Sequence, residues 1–164
     1  MFKSLYAIPV LAGAIFITDT AMAATASDTF DVFIRVENDC TIVVDDLNFG
    51  TVNDLTPAID GATTGTVTCT GVAPVSISFN PGTGGTSTYA TRQMELATNT
   101  IDYNLYRDAA RTEILGDGTV GTVTIDFNST GGADVFDIYG RTNAGQNPKP
   151  AGLYSSTITA TVEF

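Results

Sequence analysis

Histidine is absent from the sequence, cysteine occurs only at Cys40 and Cys69, and seven basic residues stand against eighteen acidic ones. Each shortage excludes something. A net charge of -11 has the wrong sign for nucleic acid, whose binding is carried by Lys and Arg on phosphate. The acidity instead suits a soluble, self-repelling surface. No run of like charges makes an acidic interaction tail. Without histidine or Cys-x-x-Cys spacing, a redox or metal pair is disfavoured. No Gly-x-Ser-x-Gly elbow, Walker loop or zinc-protease pattern occurs. The inventory points away from an enzyme and implies no cofactor.

Long apolar runs are missing too, with one exception. Lys3 is followed by an apolar stretch from Leu5 to Ile17, interrupted by Tyr6, Pro9 and Gly13. A membrane anchor needs about 20 apolar residues, and Asp19 ends this run too early. Ala21 and Ala23, either side of Met22, place small residues at the two positions a signal peptidase reads. Residues 1–23 are therefore expected to be a cleaved signal peptide, leaving Ala24 to Phe164, one domain's worth of chain. Removing Lys3 and Asp19 together leaves the net charge unchanged. In an exported chain, the even cysteine count reads as one structural disulfide between Cys40 and Cys69. Closing that loop is worth about 3.5 kcal/mol in the chain-entropy picture.

What remains is rich in Thr, Val, Ile, Phe and Tyr, punctuated by Gly, Asn and Asp, the composition of strands and turns. Period-two alternation recurs at Val67 and Cys69, at Val75, Ile77 and Phe79, at Ile101, Tyr103 and Leu105, and at Val123, Ile125 and Phe127. Asn80-Pro81-Gly82 and Gly116-Asp117-Gly118 mark turns. Helical signal is confined to a possible single turn over Arg107 to Glu113. No tandem repeat or linker divides the chain. The pattern predicts an all-β sandwich or barrel. At the N-terminal side, Phe30, Val32, Ile34 and Val36 alternate with Asp31, Phe33 and Arg35. At the C-terminal side, Tyr154, Ser156, Ile158, Ala160, Val162 and Phe164 share one face, and the sequence ends on that strand, an exposed edge open to pairing.

Carboxylates are the remaining candidates for chemistry. Asp45 and Asp46 are adjacent, so on a strand they would face opposite sides and could not share a site; a solvated loop is expected. Asp126 and Asp137 are expected on outer faces. Gly131-Gly132-Ala133-Asp134 is one poor copy of a calcium-binding nonapeptide that works only in tandem. Asn128-Ser129-Thr130 fits a glycosylation sequon, a match frequent by chance.

Cys40 with the following short strand and Leu47-Asn48-Phe49-Gly50 resembles the start of spore coat protein U domains. Gly65-Thr66-Val67-Thr68-Cys69 is similar to a second part of that family. The most specific element is Tyr103-Asn104-Leu105-Tyr106-Arg107-Asp108-Ala109-Ala110-Arg111-Thr112, which resembles its strand-and-turn signature. The ending from Pro148 through Leu153-Tyr154 to Phe164 matches too, and the order of parts is kept.

The resemblance implies the pilins of archaic chaperone–usher fibres, and with them an incomplete immunoglobulin-like β-sandwich completed by donor-strand complementation. A periplasmic chaperone would lend the missing strand, and an outer-membrane usher would exchange it for the N-terminal strand of the next, identical or related, subunit in a head-to-tail polymer. Residues 24–37 would be the donor extension, with Phe30, Val32, Ile34 and Val36 as its inserted side chains, and 38–164 the pilin domain. Tyr154, Ile158, Ala160, Val162 and Phe164 would edge the acceptor groove. Phe33 puts an aromatic on the outward face of that donor, so its register stays open. The implied location is the cell surface, serving adhesion or biofilm formation. The competing expectations are a secreted monomeric coat or binding module, its N-terminal strand complemented in cis, and, weakest, a glycan-active enzyme.

Overall fold

The structure, a computed structural model, describes residues 22–164. The signal-peptide expectation falls largely outside the described residues, Ala21 among the undescribed ones. The chain divides into two units, one ending at Arg35 and one comprising Val36–Phe164. The described part of the first forms no strand. Among the described residues no helix is long and apolar enough to cross a membrane.

In the second unit, alternation of apolar and polar residues produces eight strands. They are β1 (Cys40–Val44), β2 (Asp60–Cys69), β3 (Pro74–Phe79), β4 (Arg92–Leu96), β5 (Asn99–Tyr106), β6 (Ile125–Asn128), β7 (Ala133–Thr142) and β8 (Ala160–Glu163). One sheet has the order β1-β2-β7-β5-β4 and the other β6-β3-β8, and neighbouring strands are antiparallel. Val67, Cys69, Val75, Ile77, Phe79, Tyr103, Leu105, Phe136 and Ile138 point inward from both sheets and form the core cluster, and Ile101 is buried as well. These are mostly the residues singled out by alternation.

Two glycine features adapt β2 and β7 to that core. Gly61 and Gly140 are opposite one another, and a Cβ on Gly140 would sit 2.9 Å from both Leu47 and Phe49. The bare backbone there lets Leu47 and Phe49 lie flat on the sheet. At Gly65, opposite Phe136, a side chain would overlap the Phe136 ring. The Cys40–Cys69 disulfide joins the start of β1 to the end of β2, where the two residues are already ladder partners.

The Tyr103–Thr112 signature proves to be the end of β5 plus a stitched turn, not a helix. Asp108 Oδ1 accepts the backbone N–H groups of Thr112 and Glu113 at 2.9 and 2.8 Å. Arg107 grips Glu113 through two bonds of 2.9 and 2.7 Å, and Arg111, at φ 60°, donates to the Gly140 carbonyl. The signature thus ties a turn to β7.

Candidate functional site

The two sheets do not close against each other everywhere. Between β1 with its continuation to Phe49 and the terminal segment 154–160 lies a groove of about 1360 Å³. Phe79, Ile101, Tyr103, Leu105 and Ile138 floor it; Ile42, Val44, Leu47 and Phe49 form one wall, and Tyr154, Ile158 and Ala160 the other. The wall residues are only half-buried, although all but Tyr154 pack against the core. In a sandwich with every strand present such residues would be covered. Phe49 meets Tyr103 edge-on, with ring centroids 6.1 Å apart.

The terminal segment is less regular than its sequence pattern. Alternating burial runs from Tyr154 to Val162, but the ladder with β3 covers only Ala160–Glu163. Earlier residues change partners. Thr159 accepts from the Asn80 N–H at 3.0 Å and Thr157 from the Thr83 N–H at 3.2 Å, while Ser155 exchanges two bonds with Glu95 of β4. The segment therefore leaves β3, crosses the Asn80–Thr83 turn and touches the other sheet, which shortens the formal strand. All these bonds use odd-numbered residues. Their even-numbered neighbours turn their main chain the other way, toward the groove, as antiparallel pairing requires. Among the described residues nothing bonds to the main-chain groups of Ser156 or Ile158. An unsatisfied edge thus runs beside an apolar groove, the arrangement that invites strand addition.

Of the five C-terminal residues expected at the groove, Tyr154, Ile158 and Ala160 line it. Val162 is half-buried against the core outside that lining. Phe164, 53 % exposed, borders a shallow depression with Pro74, Asp126 and Phe127 instead. Phe30, Val32, Ile34 and Val36 lie in no strand and each is at least 83 % exposed. Four large apolar side chains left in water at two-residue spacing are a strand pattern without a ladder.

The carboxylates singled out in the sequence stay apart from one another along the fold, except for the adjacent Asp45 and Asp46. Asp45 Oδ2 accepts from the Thr64 hydroxyl at 3.3 Å, and Asp126 and Asp137 lie on exposed faces. Asp126 is held below the ordinary carboxylate range by the hydroxyls of Ser76 and Thr124. Among the described residues no three metal-ligating acids or cysteines gather. The Gly131–Asp134 stretch is a bend at its two glycines running into the start of β7, where Asp134 accepts the Thr130 N–H at 2.9 Å.

Sequence reasoning missed Arg92. It is fully buried, donating to Asn104 Oδ1 and to the carbonyls of Asn80 and Leu115, the last two at 3.1 and 2.8 Å. Burial lowers its pKa, partly offset by the tyrosines around it. Asn104 in turn donates to the carbonyls of Tyr89 and Ala90. This network pins the turn after β3 to the groove floor, and a lone arginine between Thr91 and Gln93 carries no sequence signal of such a place. The groove wall at Ile42 and Val44 was missed as well, although its alternation in β1 could have revealed it.

No curated protein matches the chain. Among solved structures it resembles a chain in the crystal structure of the CsuC–CsuE chaperone–tip adhesion subunit pre-assembly complex from the archaic chaperone–usher Csu pili of Acinetobacter baumannii. The TM-score is 0.55 at 20% identity, and the match covers 79% of this chain and 40% of that one, so this chain spans well under half of that protein. At that identity the likeness concerns the fold, an all-β, immunoglobulin-like sandwich. The family model of the Spore Coat Protein U domain matches residues 26–161, nearly the whole described chain, and the protein belongs to the Spore Coat Protein U domain family.

Proposed function

We propose that this chain is the structural subunit of a surface fibre assembled by donor-strand exchange. The observation that carries the reading is the coexistence, in one chain, of an apolar groove with an unsatisfied edge at Ser156 and Ile158 and an exposed apolar stripe at Phe30, Val32, Ile34 and Val36. Residues 24–37 of one copy enter the groove of another, within domain 38–164. Burying four such side chains gains roughly 6–12 kcal/mol, comparable to the whole net stability of a domain, about 5–15 kcal/mol. A lone subunit is then marginal and a polymer very stable. Each copy gives one strand and takes one, so the contact is head-to-tail and builds an open filament.

Such a subunit needs protection before assembly. A periplasmic chaperone filling the groove and an outer-membrane usher performing the exchange fit that need, after a leader cut beside Ala21 and Ala23 has directed export. The finished fibre lies at the cell surface, where adhesion or biofilm formation is its service. The test is a chain carrying Val32→Asp and Ile34→Asp, followed by electron microscopy of surface fibres and immunoblots of periplasm. Export without fibres is the expected result; fibres of ordinary length and yield would refute the reading.

A further inference from the structure

The free edge of β1 carries a pattern that the groove does not use. Its even residues turn inward, while Thr41 and Val43 face out. Val43 is 66 % exposed and Val135 69 %, and the two flank Thr66 in one cross-strand row. Asp45 continues the ladder by one bond, its N–H donating to the Thr64 carbonyl at 3.0 Å, and is exposed. The outward row along this edge is therefore Thr41, Val43, Asp45. The stripe that alternates with Phe30, Val32, Ile34 and Val36 is Asp31, Phe33, Arg35, with Phe33 89 % exposed.

We propose that Asp31, Phe33 and Arg35 of a second copy lie parallel to β1 and are read by Thr41, Val43 and Asp45. This rests on the donor-strand reading above. With even residues inward on both strands, odd residues share the outer face. One uniform offset then sets Phe33 on Val43, extending the apolar row through Thr66 to Val135, and brings Arg35 beside Asp45. Reversing the strand keeps Phe33 on Val43 but places Asp31 beside Asp45, a like-charge neighbour pair that destabilises a sheet. Sliding the strand by two residues in either direction takes Phe33 off Val43 and separates Arg35 from Asp45. The aromatic fixes register and the charges fix polarity. The outward Phe33, which interrupts an otherwise polar face, thereby acquires a contact.

Cysteine pairs test this in assembled fibres. A chain with Arg35→Cys and Asp45→Cys should give a covalent ladder in SDS that thiol reductant collapses, and a chain with Asp31→Cys and Asp45→Cys should not. The opposite pattern, or no link from either pair, overturns the proposal. Where the added thiols impair assembly, a charge swap decides. Arg35→Glu or Asp45→Arg alone should lower fibre yield roughly two- to fivefold, the worth of an exposed ion pair, and the two together should restore it; no restoration refutes the pairing. These failures are distinct from failure of the donor-strand reading, which shows as fibres that survive Val32→Asp with Ile34→Asp.

Discussion

Replacing Gly65 by alanine should destabilise the domain by about 2 kcal/mol, and shortening Phe136 should recover much of the loss. Gly65 sits in β2 directly opposite Phe136, whose ring is 7 % exposed. A methyl group at position 65 would overlap Phe136 Cζ and lie 2.6 and 2.8 Å from Cε2 and Cε1. The ring must move by most of an ångström within a packed core. Overpacking of this kind costs about 1–3 kcal/mol, and the overlap with three ring atoms argues for the upper part of that range. Alanine recovers roughly 0.4–1 kcal/mol by restricting the unfolded chain, so the net is near 2. Phe136→Leu alone removes buried surface and costs about 1 kcal/mol. In combination the leucine makes room for the methyl, and the double variant should be less destabilised than the sum by at least about 1 kcal/mol. Urea unfolding of the disulfide-intact chain reads all four species. Additive losses, or Gly65→Ala within about 0.5 kcal/mol of the parent, would refute the assignment of Gly65 to ring accommodation.

Val120 offers the opposite sign. It holds φ 53° beside Gly121 at 79°, the Thr122 N–H closes the turn on the Thr119 carbonyl at 2.9 Å, and its side chain is 90 % exposed. A β-branched residue is strained there, so Val120→Asn should stabilise by about 1 kcal/mol and raise Tm by several degrees; an unchanged Tm contradicts the strain. Asp60 is held below the ordinary carboxylate range, first by its hydrogen bonds from Arg141 and also by the Arg111 charge. Its folded pKa is depressed, so its contribution is present above the unfolded carboxylate pKa and is lost as pH falls through the lower folded value. Asp60→Asn should therefore lower stability at neutral pH and flatten the acid limb of a Tm-against-pH curve, and parallel curves would contradict this. Arg92→Met leaves the Asn80 and Leu115 carbonyls without the guanidinium that bonds them; at about 1–3 kcal/mol for each orphaned group, a loss of about 2–6 kcal/mol in urea unfolding is expected, and a neutral substitution would show that relieving the buried charge outweighs the lost bonds.

The core strands were legible because burial on one face imposes period two. Val75, Ile77 and Phe79, and Ile101, Tyr103 and Leu105, appear in β3 and β5 as that rule demands. The disulfide was legible from two cysteines in a chain whose sequence led us to expect export. β4 was not, since Arg92-Gln93-Met94-Glu95-Leu96 buries its first residue and half-buries the rest, leaving no alternation to see. The C-terminal pattern promised a strand from Tyr154 onward, but partner changes at Thr159, Thr157 and Ser155 confine the ladder to Ala160–Glu163. Alternation reports which side of a segment is covered, not which strand it pairs with. The N-terminal stripe shows the same limit, for Phe30 to Val36 carries a strand pattern and has no ladder in the single chain. The C-terminal wall of the groove was legible; on the opposite wall Ile42 and Val44 carry the alternation of β1, whereas Leu47 and Phe49 depend on Gly61 and Gly140 being bare beneath them, a relation between positions distant in sequence.

The most direct test of donor-strand assembly is the size, in SDS without heating, of mature protein purified from periplasm, compared with the same protein lacking residues 24–37. The account predicts an SDS-resistant ladder from the whole protein and none from the truncated one. A stable monomer from the whole protein, unfolding once those residues are removed, would contradict it and show the strand to be used within its own chain.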